Sequence, residues 1–171
     1  FSLYNNPGNY IAGIFDRSTA QVTELVNLPN PLLMNIYING QKIDLDLNNV
    51  IDYQRILDMK NGILRNEFIV EVQKGMRVKV ESERFVSRKN VHRWGSRYSV
   101  TSLDSQAFLV FESSIDGGTV NSQNNPKEVT KHYKVSSVHD LKQAIMMVVK
   151  TNDKKIEVAQ ASCLVMKERK F

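Results

Sequence analysis

The chain has 171 residues, a length that fits one domain and is long enough to bury a substantial core. Its hydrophobic content of 42% and charged content of 24% are typical of a globular protein and exclude a disordered or fibrous chain. The formal net charge is +5, but the basic residues are scattered among acidic ones, which argues against nucleic-acid binding. No apolar run is long enough to form a membrane helix.

Alternating apolar residues around glycine-containing dipeptides predict two β-hairpins in the first half of the chain. The first has its turn at Asn39-Gly40, because both residues tolerate the positive φ that a type I′ turn requires. Its strands are expected over 36–38 and 43–47. The second has its turn at Lys74-Gly75, and a change of phase beyond Val80 predicts a β-bulge in its returning strand.

Two segments follow in which composition is the main signal. The apolar run 107–111 predicts a strand buried on both faces. The run 113–126 is rich in Ser, Asn and Gly and predicts a long loop. Cys163 lies in another apolar stretch and is predicted to be a small core residue; as the single cysteine, it indicates a reducing compartment.

The last third of the chain predicts a strand–turn–strand unit. Its strands are expected over 144–149 and 156–165, on either side of a turn at 151–153. The segment 139–147 also fits a short helix. Since Val and Ile outnumber Ala and Leu, the simplest prediction is one all-β domain over residues 1–171.

No complete catalytic or metal-binding set is visible. The three histidines share no metal-ligand spacing, which argues against a zinc site. Asp16 and Glu24 both lie in loop-like sequence, and paired acids can hydrolyse glycosidic bonds. A small enzyme therefore stays open if the two lie within roughly 5–10 Å of each other in a cleft. Trp94, the only tryptophan, is expected in the core, although an exposed Trp could stack on a sugar.

Five groups of residues, in order, are more specific than the composition. They are GNYIAGIFDR at 8–17, ELVNLPN at 24–30, YQRILDMKNGIL at 53–64, VESERFVS at 80–87, and the loop containing IDG and VN at 115–121. Together they closely resemble the amino-terminal domain of family 65 glycoside hydrolases, which includes maltose, kojibiose and trehalose phosphorylases and hydrolytic relatives. The resemblance is good from Gly8 to Asn121 and weaker beyond.

The resemblance implies a large antiparallel β-sandwich, a galactose-mutarotase-like super-sandwich of which this chain is a fragment. In the family, a helical linker joins the sandwich to an (α/α)6 barrel that holds the catalytic Glu and the phosphate site. That Glu protonates the glycosidic oxygen while phosphate or water attacks with inversion, and members are commonly cytoplasmic homodimers. No position here matches that equipment, so the resemblance assigns no catalytic residue, metal or cofactor; inorganic phosphate would be a co-substrate of the parent protein.

The hypothesis that follows is a non-catalytic domain that packs against the barrel of the same chain and supports dimerisation, while the disaccharide binds at the barrel. No nucleic-acid or membrane partner is expected. The candidates for contact with the barrel or with carbohydrate are Asp16, Glu24, Asn27, Asn30 and Trp94. If Glu24 and Asn27 face the barrel, they should be exposed in this chain, whereas burial with hydrogen bonds would favour a role in the fold.

Three further expectations concern local structure, the chain ends and an alternative function. The segment 28–31, Leu-Pro-Asn-Pro, is expected to form a rigid turn. The chain starts at Phe1 rather than Met, shows no signal peptide and stops without a turn or capping signal, so we expect a piece of a longer protein. The family resemblance implies that this protein is cytoplasmic. The alternative function is an independent carbohydrate-binding module, indicated by Trp94, Tyr10 and the Asn-rich run 121–125.

Overall fold

A computed structural model describes residues 8–17, 22–46, 48–122 and 129–167. Within these ranges every regular element is a β-strand and the strands of the larger sheets pair antiparallel, which confirms the all-β prediction. None of the described residues forms a helix that could cross a membrane. The strands are β1 (Phe15–Arg17), β2 (Thr23–Leu25), β3 (Asn30–Ile38), β4 (Gln41–Lys42), β5 (Asn49–Asp58), β6 (Ile63–Gln73), β7 (Met76–Val86), β8 (Trp94–Ser102), β9 (Leu109–Asp116), β10 (Asn121–Ser122), β11 (Val129–Thr130), β12 (Tyr133–Asp140), β13 (Ala144–Thr151) and β14 (Glu157–Cys163).

The described residues divide into two compact units. Unit 1 covers 35–111, and its main element is a sheet of strand order β5-β6-β7-β8. Unit 2 covers 8–34 and 112–167, and its main element is a sheet of strand order β12-β13-β14. The other sheets have the orders β1-β2, β10-β11 and β4-β3-β9.

Both predicted hairpin turns of unit 1 are confirmed. Asn39 and Gly40 have φ values of 49° and 82°, as a type I′ turn requires. Gly75 has a φ of 76° in the turn between β6 and β7. The return strand of the first hairpin is shorter than predicted, because the Asp44 carboxylate accepts a hydrogen bond from the Asp46 N–H and closes a turn there. Leu47 lies outside the described residues.

The β-bulge predicted beyond Val80 is wrong. β7 keeps its register with β6 without a break from the Ile63–Phe85 pair to the Glu71–Arg77 pair, and the shift occurs beyond Glu71 instead. Ser82 stays on the buried face because its hydroxyl accepts a 3.2 Å hydrogen bond from the Asn66 side chain. The hydrogen-bonded pair of Asn66 and Ser82 therefore occupies buried positions at which alternation predicts apolar residues, and the register of the strand does not change.

The predictions for 107–126 are only partly right. The strand begins at Leu109 and continues to Asp116, four residues into the predicted loop. It is not buried on both faces, because Phe108 and Val110 are exposed while the residues beside Val110 are half-buried. This alternation is that of a strand with one covered face. Residues 123–128, which include most of the remaining predicted loop, lie outside the described residues.

The strand–turn–strand prediction for unit 2 is confirmed by β13 and β14. The helix considered for 139–147 is wrong, because this stretch joins β12 to β13 through a tight turn in which Lys142 has a φ of 67°. Cys163 is exposed in β14 rather than in the core. Buried residues of unit 2 instead form a cluster of Val26, Leu28, Tyr133, Met147, Val149 and Val158.

The rigid turn predicted for 28–31 is also wrong. Leu28 and Pro29 are buried and lead directly into β3, in which Pro31 is the second residue. The φ that proline fixes is compatible with extended backbone, and proline is tolerated near the start of a strand. The segment therefore enters the sheet instead of reversing direction.

Candidate functional site

Asp16, Glu24 and His132 meet in unit 2. Asp16 and Glu24 are directly opposite each other in the two-stranded ribbon of β1 and β2. The ring of His132, in the residue just before β12, lies between their carboxylates: Nε2 is 2.9 Å from Glu24 Oε1, and Nδ1 is 3.6 Å from Asp16 Oδ2. The His132 side chain is 1% exposed and that of Asp16 is 0% exposed. We call these three residues the carboxylate–imidazole cluster.

The Asp16 carboxylate also holds the turn between β13 and β14. It accepts hydrogen bonds from the backbone N–H groups of Asn152, Asp153 and Lys154 at 3.2, 3.0 and 2.9 Å. Burial raises the pKa of Asp16, but the three N–H donors and the neighbouring His132 outweigh it, so that this pKa lies below its ordinary value. Asp16 is therefore an ionised, fully engaged carboxylate at neutral pH.

Asn27 and Asn121 fasten the segment after β2 to the start of β10. The Asn27 N–H donates to Asn121 Oδ1 at 2.8 Å, and the Asn27 side chain donates to the Val120 carbonyl at 2.9 Å. Asn121 in turn donates to the Leu25 carbonyl and to Glu24. Both asparagines are buried. These bonds give Asn27 a role inside the fold.

Thr119 and Tyr133 continue the same network. The Thr119 hydroxyl donates to the Leu28 carbonyl at 2.9 Å and lies 2.6 Å from the Tyr133 hydroxyl. Burial raises the pKa of Tyr133, while its bond to Thr119 acts in the opposite direction and does not offset it. The hydroxyl is therefore a neutral hydrogen-bonding group in the core.

The chemistry open to the carboxylate–imidazole cluster is limited. Its carboxylates lie on opposite nitrogens of the imidazole, so they do not converge on one point, and no metal-holding group of three ligands occurs among the described residues. Asp16 and Glu24 are neighbours, as a small enzyme would need, but Asp16 is enclosed rather than set in a cleft. A buried acid with no access for substrate acts as a structural clamp.

The remaining two candidate residues lie elsewhere. Asn30 is the first residue of β3, and its side chain accepts a 3.1 Å hydrogen bond from the Leu32 N–H. Trp94 is the first residue of β8 in unit 1, is paired with Val86 and is half-buried. The structure thus brings together Asp16, Glu24 and Asn27 but neither Asn30 nor Trp94.

A shallow depression also occurs on the charged face of the β5–β8 sheet. It is lined by residues of all four strands, including Glu67, Glu81, Glu83 and Arg97. Glu83 is shared between Arg65 at 3.0 Å and Arg97 at 2.7 Å. Because these charges already neutralise one another, the depression offers no unpaired charge pattern for a ligand.

Sequence reasoning misses the roles of His132, Thr119 and Tyr133. Metal-ligand spacing says nothing about a histidine bonded to carboxylates, and the partner Glu24 lies 108 residues before His132 in the chain. The Val-Asn pair at 120–121 belongs to one of the family strings, and the structure shows its asparagine bonded to the string that contains Asn27. The sequence therefore offers one indirect indication of this network, which is that the segments forming it include several of the family strings quoted above.

A family model and individual relatives identify the same protein family for this chain. The model of the glycosyl hydrolase family 65 N-terminal domain matches residues 2–170. A kojibiose phosphorylase of Caldanaerobacter subterraneus subsp. tengcongensis is 42% identical over 159 residues, which cover 92% of this chain and 21% of the relative. A trehalose 6-phosphate phosphorylase of Lactococcus lactis is 29% identical over 91% of this chain and 20% of its own length.

A solved structure of a kojibiose phosphorylase candidate from the human microbiome has a TM-score of 0.73 to this chain. It is 17% identical, and the match covers 92% of this chain and 24% of the solved chain. This likeness concerns the fold alone, and together with the family match it supports the all-β sandwich class. The chain spans about a fifth of the length of the curated relatives it matches.

Proposed function

The chain belongs to glycosyl hydrolase family 65, as an N-terminal domain of its disaccharide phosphorylases, and from that premise we propose that it is a non-catalytic, supporting part of such an enzyme. In this proposal the full-length protein cleaves an α-glucosidic disaccharide such as kojibiose or maltose, with phosphate as the attacking co-substrate. The bond-breaking groups lie in the part of the protein outside this chain, in the barrel implied by the sequence resemblance.

The observation that carries the proposal is the engagement of the acidic candidates inside the fold. A general acid must reach the leaving-group oxygen, and its partner must reach the attacking nucleophile. Asp16 is enclosed and bonded to three backbone N–H groups. Glu24 bonds His132 and Asn121. Asp16 is thus closed to a sugar, and Glu24, whose side chain is 21% exposed, is already held by two partners, which supports a supporting role for this domain.

The names of the relatives support the proposed substrate class. They are phosphorylases of kojibiose, maltose, trehalose and trehalose 6-phosphate, all of which are disaccharides or a disaccharide phosphate. A phosphorylase needs a site for inorganic phosphate in addition to the sugar sites. Because the bond-breaking groups lie outside this chain in our proposal, we place the phosphate site in the remainder of the protein as well.

The proposal is tested by comparing the purified 171-residue chain with the full-length protein. Each is incubated with kojibiose, maltose or trehalose and inorganic phosphate, and the released sugar phosphate is measured. We expect release by the full-length protein with at least one disaccharide and none by the chain alone, whose folding is checked by its β-type circular dichroism. Sugar phosphate formed by the folded chain alone would overturn the non-catalytic assignment.

The carbohydrate-binding alternative is tested on the same chain. Trp94 is half-buried, so a sugar that stacked on it would change its fluorescence. Under our proposal, titration with each disaccharide leaves the emission of Trp94 unchanged. A saturable change, together with calorimetric binding that is lost in a Trp94→Phe variant, would favour a binding module instead.

A further inference from the structure

The net positive charge of the chain comes from one short segment. The chain has 23 Lys and Arg against 18 Asp and Glu, and residues 84–97 contain five of the basic residues and none of the acidic ones. The other residues therefore contain 18 of each kind and are balanced in charge. Within this segment, Arg88, Lys89 and Arg93 lie in the loop that joins β7 to β8. We call residues 88–93 the basic loop.

Hydrogen bonds of the backbone and of short polar side chains give the basic loop a defined shape. The Ser87 N–H donates to the Arg93 carbonyl at 2.9 Å and closes the neck of the loop. The Asn90 N–H donates to the Ser87 hydroxyl at 3.0 Å, and the Asn90 carbonyl accepts the Arg93 N–H at 3.0 Å. The chain therefore turns back at Asn90 and brings Arg93 to the same end of the sheet as Arg88 and Lys89.

The three cationic side chains of the basic loop belong to exposed residues and are unpaired. None of the residues that the structure describes forms an ion pair or a side-chain hydrogen bond with them. Cations in the neighbouring strands are paired instead: Lys79 with Glu67 at 2.9 Å, and Arg97 with Glu83 at 2.7 Å. A group of unpaired cations creates a positive potential that attracts anions, and here the surrounding charges do not cancel it.

The side chains of the basic loop fit a phosphate group. Arginine presents a planar fork of N–H donors that matches two phosphate oxygens, and lysine adds a compact positive charge. A phosphate monoester carries close to two negative charges at neutral pH, which two or three cations can balance. A nucleic acid fits less well, because it needs a basic stripe with aromatic side chains, whereas these cations are confined to one loop without Phe, Tyr or Trp.

We propose that the basic loop binds the phosphate group of inorganic phosphate or of a sugar phosphate. This inference rests on the proposed function, in which phosphate is the attacking co-substrate and a sugar phosphate is the product. The phosphate oxygens accept hydrogen bonds from the guanidinium groups of Arg88 and Arg93, and the ammonium group of Lys89 adds to the attraction. The proposal adds these three residues to the parts of the full-length protein that hold phosphate.

The test is modification of arginine by phenylglyoxal in the full-length protein, with the rate at each arginine followed by mass spectrometry of its peptide. Arg55 is the internal control, because it is an exposed arginine of β5 in the same sheet. The reaction is run with inorganic phosphate, with glucose 1-phosphate, with a glutamate peptide, and with sodium chloride at matched ionic strength. The chloride sample separates phosphate binding from general screening of charge.

We expect saturating inorganic phosphate or glucose 1-phosphate to slow modification of Arg88 and Arg93 at least about threefold and to leave the rate at Arg55 unchanged. Of these two anions, the one that protects at the lower concentration is the favoured ligand. The proposal is overturned if neither protects, if chloride protects equally, if Arg55 is protected to the same degree, or if the glutamate peptide alone protects. Arginines at 88 and 93 that fail to react without any anion would also overturn it, since another part of the protein would then cover them.

Lys89→Gln supplies a second measurement, with Lys60→Gln in the exposed turn between β5 and β6 as the matched control. Removal of one cation weakens the attraction, so the phosphate concentration that half-protects Arg88 and Arg93 should rise at least about threefold in Lys89→Gln and stay unchanged in Lys60→Gln. Equal half-protecting concentrations in the two variants would contradict the assignment of Lys89 to the site.

Phosphorolysis is measured on the same samples, so that the two proposals fail separately. An active enzyme in which both anions leave Arg88 and Arg93 unprotected removes the phosphate-binding loop and leaves the proposed function intact. Specific protection of both arginines in a folded protein that releases no sugar phosphate from any of the disaccharides supports the phosphate-binding loop and counts against the proposed function.

Discussion

The Asp16→Asn substitution tests the clamp formed by the carboxylate–imidazole cluster. Asp16 Oδ1 accepts the N–H groups of Asp153 and Lys154, and Oδ2 accepts that of Asn152 and faces His132 Nδ1. If the asparagine places its Oδ1 where Asp16 Oδ1 lies, its NH2 group replaces Oδ2 and faces the Asn152 N–H. The Asn152 N–H then has no acceptor. The substitution keeps the size of the side chain, so lost hydrogen bonding dominates the effect.

The magnitude follows from those contacts. One hydrogen bond to a charged acceptor is lost, worth about 1.5–3 kcal/mol, and the two that remain lose the assistance of the charge. We therefore expect the free energy of unfolding at pH 7 to fall by about 2–4 kcal/mol, a large part of the roughly 5–15 kcal/mol typical of a domain. Urea unfolding followed by far-UV circular dichroism measures it, since the shift of the midpoint gives the change when the slope is constant.

The pH dependence supplies an independent check. Because the folded-state pKa of Asp16 lies below its ordinary value, its contribution is fully present above the unfolded pKa of about 3.9 and is lost as the pH falls through the folded pKa. The wild type and Asp16→Asn should thus differ by a constant amount above about pH 5 and converge at lower pH.

The matched control is Asp153→Asn, which changes an exposed carboxylate in the same turn. We expect it to alter the free energy of unfolding by less than about 0.5 kcal/mol at pH 7. If Asp16→Asn is equally mild, or if its effect at about pH 3 is the same as at pH 7, the clamp is refuted.

Three other substitutions are tested by the same urea unfolding. Tyr133→Phe removes the buried hydroxyl that lies 2.6 Å from Thr119 and should lower the free energy of unfolding by about 1–2 kcal/mol, and no loss would contradict the network. Gly75→Ala should cost about 1 kcal/mol because the φ of 76° disfavours a Cβ, whereas a gain would contradict the turn geometry. Gly95→Ala places a Cβ 2.8 Å from the ring of Phe85 and should be destabilising in the wild type but not in a Phe85→Ala background.

Local signals explain which parts of the fold can be predicted from the sequence. The turns at Asn39-Gly40 and Lys74-Gly75 are predictable because the required positive φ is encoded in two adjacent residues. The bulge prediction beyond Val80 fails because apolar alternation cannot recognise that Ser82 is satisfied by Asn66 from the neighbouring strand. That pairing is tertiary, and the sequence of β7 alone does not contain it.

The candidate site is predictable only in part for the same reason. Asp16 and Glu24 stand out as carboxylates, but their shared partner His132 is 108 residues beyond Glu24. Spacing along the chain does not report such a contact, whereas the ordered family strings do point to the segments that form it. Likewise, the exposure of Phe108 in an apolar run depends on which faces are covered, and composition does not reveal this.

The proposed function requires that no acid of this chain takes part in catalysis, and Glu24→Gln in the full-length phosphorylase tests it. Glu24 is the less buried of the two carboxylates, and glutamine retains an acceptor for the Asn121 side chain. Steady-state phosphorolysis of the best disaccharide is the measurement. We predict that turnover stays within about threefold of the wild type, since losing a general acid or base costs about 10²–10⁴-fold. A loss of turnover of about a hundredfold or more, in a protein that remains folded, would contradict the non-catalytic assignment.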